Sequence, residues 1–159
     1  MPRRFRTVIS GLVLAALTAV VGVFIATPAQ AASHYGCSYP NVCLNNGSYN
    51  GGTKIWQAWT PAYLILPEGD RNVADSVINT KNDDSVWLLD TGVSPDRYLC
   101  IPADTYVNLG SYAHPARPGT WAGDVDAVVI FPSSDNGLCS GSDDVRGGSV
   151  PDGWRPSWA

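Results

Sequence analysis

The chain has 159 residues, with 10 Lys+Arg against 14 Asp+Glu and a formal net charge of -4. A chain of this length suits one domain with one core. Its acidic balance repels phosphate backbones, which argues against nucleic-acid binding, and disfavours anionic membrane surfaces for the same reason.

The chain opens on Arg3, Arg4 and Arg6, followed by a long apolar run from Val8 to Ala26 and the small-residue site Ala29-Gln30-Ala31. A basic start, an apolar stretch and an A-x-A site predict an export signal that is absent from the mature protein. An uncleaved membrane anchor is the alternative, since the run approaches the length of a span, but the A-x-A site favours cleavage. Residues 1–31 are therefore set apart as a signal peptide. The expected organisation is a domain at 32–132 and a Gly/Ser/Asp-rich tail at 133–159 tethered at Cys139. Without the signal, 128 residues remain with 7 Lys+Arg, 14 Asp+Glu and a net charge of -7. The protein is expected to be secreted, monomeric and free of the membrane once cleaved.

All four cysteines, Cys37, Cys43, Cys100 and Cys139, follow the cleavage site, and an even count in an exported chain predicts two disulfides. The sequence allows three pairings. The favoured one joins Cys37 to Cys43 and Cys100 to Cys139, because the second bridge would tie a weakly structured tail to the core. Loop entropy gives that long link about 4 kcal/mol and the short one about 2 kcal/mol. A cysteine metal site lacks the C-x-x-C spacing it needs, and both histidines stand apart.

No segment after residue 31 keeps an apolar stripe at helical spacing. Short apolar runs bounded by Gly, Pro, Asn or Asp predict strands at Val42–Leu44, Thr53–Trp59, Tyr63–Leu66, Ser76–Ile78, Ser85–Leu89, Arg97–Ile101, Tyr106–Leu109 and Ala127–Phe131. Such spacing implies an antiparallel sandwich or barrel. From Ser133 the composition changes to "SSDNGLCSGSDDVRGGSVPDGWRPSWA", which predicts a loose tail beyond Cys139. Trp154 and Trp158 stand out there, either folding back onto the domain or anchoring a partner. "NVADSVINTK" and "WAGDVDAVVIF" form a weak internal echo, an Asp near a small residue just before an apolar strand. If real, it implies two copies of one unit.

The opening "CSYPNVCLNNGSYNGG" has a C-x5-C, a strand, a short polar loop and Tyr49 with Gly51 and Gly52. It resembles small secreted actinobacterial proteins of βγ-crystallin-like fold, and more closely the secreted peptidase inhibitor family typified by the Streptomyces metalloproteinase inhibitor. "DRNVADSVIN" and "RYLCIPADTYVNLG" support the resemblance, which covers most of residues 36–132. It implies an all-β, disulfide-bonded double Greek-key sandwich. A folded hairpin would carry glycines at positive φ under the Tyr49 ring, and Ser76 would pack beneath it and satisfy its backbone. The inhibitory bond would join Cys100 to Ile101, with Ile101 on the leaving-group side that thermolysin-like zinc proteases select. Pro102 and the disulfide would stiffen that loop. The same segment also reads as an ordinary strand with a buried cystine.

The calcium pattern of crystallin modules, N/D-N/D-x-x-S/T-S, aligns on Ser76 with Asp75 in the preceding position and Arg71 and Asn72 at the acid/amide pair. Arg71 puts a cation where a Ca²⁺ ligand belongs. The second copy has Ala127 at the serine position and Ala122-Gly123 at the pair. "NVADSVIN" is therefore expected to be a structural cap around a degenerate motif, with no metal and no cofactor. Only His34 and His114 are available as bases, neither in a catalytic motif. Asp83/Asp84 and Asp143/Asp144 mark turns, so the protein is expected not to be an enzyme; a carboxylate pair assembled in space is the arrangement that spacing leaves open. The expected partner is an extracellular protease. The rival is a non-catalytic binding module for cell-wall carbohydrate or Ca²⁺, or with a toxin-like role, using exposed aromatics. Trp56 and Trp59, three positions apart, point to opposite faces of a strand and form no single platform.

Overall fold

A computed structural model describes residues 32–133, 139 and 144–159. The expected signal at 1–31 lies outside these residues, as does Asp143. The described residues form an all-β structure whose only helical element is one 3₁₀ turn at Leu109–Ser111. Among them, no helix is long and apolar enough to cross a membrane.

The strands are β1 (Val42–Asn46), β2 (Thr53–Ala58), β3 (Ala62–Ile65), β4 (Ser76–Asn79), β5 (Val86–Asp90), β6 (Asp96–Ile101), β7 (Thr105–Asn108), β8 (Ala127–Ile130) and β9 (Arg146–Val150). All pair antiparallel, in sheets ordered β2-β1-β4-β7 and β3-β8-β5-β6-β9. The chain therefore runs twice through one path. Three of β1 to β4 stay in the first sheet while β3 crosses to the second; three of β5 to β8 stay in the second while β7 crosses to the first.

Hydrogen bonds repeat the same relation. Asp75 N–H donates to Asn45 O at 2.8 Å, and Asp126 N–H to Leu89 O at 2.8 Å. Leu109 N–H donates to Asp75 O at 2.8 Å, and Leu66 N–H to Asp126 O at 2.9 Å. Gly123 N–H reaches Ala74 O and Asn72 N–H reaches Val125 O, each at 2.9 Å. The weak sequence echo is thus an echo of position, with Asp75 and Asp126 in equivalent places.

Between the sheets lies a core of Val42, Leu44, Val77, Leu88, Leu99, Ile101, Val128, Ile130 and the wholly buried Trp121. Runs such as "VWLLD" and "AVVI" are buried at every position rather than at alternate ones. A strand alternates in hydrophobicity when one face meets water; here both faces are covered. On the first sheet, Cys37, Cys43 and Ile78 cluster beneath Tyr49 and Tyr106. On the second, Trp87, Tyr98, Val129 and Phe131 are joined by Cys139, Trp154 and Trp158.

Cys37–Cys43 and Cys100–Cys139 are the disulfides found, and two such bridges belong to an oxidising, extracellular type of environment. Each fixes a terminal segment to the outer face of one sheet. The expectation of a loose tail beyond Cys139 is corrected for residues 144–159. β9 pairs with β6 from Asp96↔Val150 to Cys100↔Arg146. Trp154 then stacks on Trp87 at 5.3 Å, and Trp158 meets Phe131 edge-on at 5.7 Å. Burying two indoles and completing a ladder outweighs the low hydrophobicity of the segment. Of the two expectations for Trp154 and Trp158, the structure has the folding back.

Candidate functional site

Cys100, Ile101 and Pro102, the segment expected to present an inhibitory bond, do not form an exposed loop. Cys100 and Ile101 end β6 with β5 on one side, and Cys100 also pairs with β9. Ile101 is 0% exposed and part of the central core. Asn79 Nδ2 donates to Pro102 O at 2.8 Å, Asp84 O at 2.9 Å and Ile101 O at 3.4 Å, which ties down the turn beyond the strand. A protease cleft would have to extract a core strand to reach this bond. The segment is the ordinary strand with a buried cystine that its composition also allowed.

The polar stretch at 72–79 lies under the β1–β2 hairpin. Ser76 is wholly buried, and its Oγ donates to Gly47 O at 2.8 Å. Gly47 N–H donates to Asp75 Oδ2 at 2.8 Å. Tyr49 N–H donates to Asn108 Oδ1 at 3.2 Å, and its ring meets those of Tyr35 and Tyr106 at 5.0 Å each. The expected reason for the glycines is only partly right. The positive φ is at Gly47, at 90°, and not at Gly51 or Gly52. Gly52 instead answers to close approach, because a Cβ there would lie 2.5 Å from Asn46 O.

Asn72 and Asp75 do not converge on one ion. Asn72 Nδ2 donates to Asp126 Oδ1 at 3.1 Å, while Asp75 serves the hairpin of its own half. Among the described residues there is no group of three or more His, Cys, Asp or Glu side chains placed to hold a metal.

A cavity lies elsewhere, at the end of the second sheet's outer face that the C-terminal segment leaves uncovered. It is a groove of about 580 Å³. Its floor is Ile65 and Ala127, cross-strand partners on β3 and β8. Its walls are the β5–β6 hairpin at Thr91–Ser94, the turn carrying Arg71, and the C-terminal turn with Asp152 and Arg155. The groove's acidic side chains are occupied. Asp126 Oδ2 accepts from Thr91 N–H at 2.9 Å and Thr91 Oγ1 at 3.2 Å, beside the Asn72 bond to Oδ1. Asp152 accepts from Ser94 Oγ at 2.7 Å and Asp96 N–H at 3.0 Å, and Asp96 from Gly153 N–H at 3.0 Å.

The cationic side chains are occupied far less. Arg71 uses Nε on Leu66 O at 2.8 Å, and Arg155 uses Nη1 on Trp154 O at 2.8 Å while its guanidinium lies 3.6 Å from the Tyr63 ring centre. Neither is in ion-pair reach of a carboxylate among the described residues. The Tyr63 hydroxyl is buried without a hydrogen-bond partner. Burial pushes its pKa up; Arg155 opposes this, and Asp96 and Asp126 add to it, so the phenol lies within the field of the groove.

Both histidines are held by carboxylates. His34 Nε2 lies 2.8 Å from Asp104 Oδ1 at the surface. His114 has a wholly buried side chain with Nε2 3.1 Å from Asp90 Oδ2. Ala116 N–H donates to its Nδ1 at 3.3 Å. Arg117 also contacts Asp90 and reaches Asp124 at 3.1 Å. This group fastens the long connection between β7 and β8. Of the aromatic pair, Trp56 packs on the core, whereas Trp59 lies beyond β2 and is 59% exposed.

The sequence-predicted residues therefore fall into two separate places, the hairpin support around Ser76 and the buried end of β6. The groove residues were not among them. In the sequence Arg71 reads only as a cation that breaks a calcium pattern, and Arg155 falls in a Gly/Ser/Asp-rich segment that reads as loose. Comparison with known proteins adds no candidate, since no family model, curated protein or solved structure matches the chain.

Proposed function

We propose that the protein is a secreted, monomeric, non-catalytic recognition domain with a βγ-crystallin-like double Greek-key fold, and that it acts by occupying an extracellular partner. The strand order supports the fold, because each half contributes its third strand to the other half's sheet. The groove carries the recognition reading, because it gathers two guanidinium groups with donors left over around a small apolar floor. Ligand sites have this form, a cavity with a few convergent polar groups. Binding over catalysis is favoured because the His114 side chain is wholly buried with its Nδ1 taken by the Ala116 N–H, and neither histidine lines the groove.

An extracellular peptidase is the partner that the family resemblance implies. With Ile101 in the core, inhibition would have to use another surface. The test is the inhibition constant of the oxidised protein against a thermolysin-type zinc peptidase and a subtilisin-type serine peptidase, each repeated after reduction. Inhibition that vanishes on reduction supports a braced inhibitory surface. No inhibition and no complex with either enzyme removes the peptidase, and retention on insoluble cell-wall polysaccharide then decides for the carbohydrate module.

A further inference from the structure

The geometry points to a ligand class for the groove: a carboxylate carried on an apolar body, with its oxygens between Arg71 and Arg155 and its apolar part on Ile65 and Ala127. This inference rests on the recognition reading above and deepens it.

The first argument is the balance of hydrogen-bonding capacity. Three aspartates share the groove with two arginines, yet none of them pairs with either. The aspartates instead fasten the walls to one another: Asp126 holds the hairpin, and Asp152 and Asp96 clasp the C-terminal turn. Each guanidinium is steered by one backbone carbonyl and keeps further N–H groups. The Tyr63 ring lines the same groove beneath the Arg155 guanidinium. A site whose spare groups are donors takes an acceptor, and a planar carboxylate suits a guanidinium fork better than any neutral acceptor does.

The second argument is shape. Ile65 is 54% exposed although it lies on the outer face of a sheet that is otherwise covered. An adjoining hollow, lined by Pro61, Ala62, Tyr63, Ile65 and Arg155 with Ala159, extends the apolar floor along β3. β3 is also an edge strand, open to an extended chain on its outer side. The chemistry therefore fits a free apolar carboxylic acid or the C-terminal residue of a peptide, two sources of one group. The overall negative charge and the three aspartates disfavour polyanions, so the ligand carries a single charge.

The experiment is an amide-resolved NMR titration of the oxidised protein with four probes: 3-phenylpropanoate, its primary amide, an N-acetylated dipeptide ending in leucine, and that dipeptide's amide. Saturable shifts at Thr91–Ser94, Ala127 and Gly153 are expected with the acids, and binding about tenfold or more weaker with the amides. A tighter dipeptide acid identifies a peptide C-terminus, and a tighter free acid identifies a small metabolite-like acid; either supports the site. Arg155→Gln should weaken acid binding about tenfold while leaving the near-ultraviolet tryptophan signal in place, whereas Lys54→Gln, on the other sheet, should not weaken it. Equal binding of acids and amides, absence of saturable binding, or acid binding unchanged by Arg155→Gln would overturn the proposal. The amide comparison uses the native protein, so it holds even if the variant folds poorly. If every acid fails while the protein still binds a peptidase or polysaccharide, only the groove's ligand class is refuted.

Discussion

Ile101→Ala separates the two descriptions of the Cys100–Pro102 segment. Ile101 is 0% exposed, lies at the end of β6 opposite Val86, and packs in the core between the sheets. Removing its three outer carbons forfeits about 2.4 kcal/mol of transfer free energy at about 0.8 kcal/mol per group. The cavity left between two sheets that cannot fully collapse brings the loss to about 3 to 4 kcal/mol. For a domain of this size that corresponds to a fall in Tm of about 10 °C or slightly more. The assay is urea unfolding of the oxidised variant followed by tryptophan fluorescence, with the m-value compared to that of the parent. Were Ile101 the presented residue of an inhibitory loop, truncation would leave stability within about 0.5 kcal/mol and act only on inhibition. A loss under about 1 kcal/mol with an unchanged m-value would refute the burial argument and restore the loop.

Three further perturbations test other parts of the structure. A Cβ at Gly148 would fall on the Tyr98 phenol, which stacks on Trp87 at 4.1 Å; Gly148→Ala should cost about 1 to 3 kcal/mol, read in the same unfolding assay. Ser76→Ala removes the hydroxyl that supports Gly47 O and should cost about 1 to 2 kcal/mol, with amide exchange accelerated first in the β1–β2 hairpin. Burial raises the phenol pKa of Tyr63, Tyr98 and Tyr112 above the ordinary 10.0. The folded state therefore prefers these phenols protonated: their contribution is complete below about pH 10 and is lost as the pH rises through the folded values. Spectrophotometric titration should show them ionising later than in urea, and identical curves in both conditions would contradict the burial.

Much of the fold was legible in the sequence because its strands advertise themselves. Runs such as "VWLLD" and "AVVIF" are apolar enough, and well enough bounded by turn residues, to be placed within a residue or two of β5 and β8. β9 was not legible. "RGGSV" has neither alternation nor bulk, and becomes a strand because β6 offers a free edge and the Tyr98 ring needs a glycine beneath it. Ile101 was ambiguous for a different reason. An apolar residue after a disulfide-bonded cysteine has the same composition in a presented loop and in a core strand, and only its neighbours across the sheet decide. The groove was the least legible feature, since Ile65, Arg71, Ser94, Asp126 and Arg155 come from five separate stretches of chain.

β9 escapes the sequence reading because Gly, Ser and Asp at the C-terminus read as a loose segment. The segment is poor in apolar residues because it needs few of them. Its tryptophans are placed where the outer face of the second sheet is itself aromatic, so Trp154 and Trp158 find Trp87 and Phe131 already positioned. The remaining residues serve to complete a ladder and to turn. The N-terminal segment does the same on the first sheet with Tyr35 set against Tyr49 and Tyr106. A sandwich this small stabilises itself with covered outer faces and two covalent links to the covers. Where a cover stops short, apolar floor stays open beside the polar groups that anchor the cover's turn, and in the second sheet that place is the groove over Ile65 and Ala127. The proposed binding surface is therefore a consequence of how the ends are tied down, and reducing Cys100–Cys139 is expected to weaken recognition as well as stability.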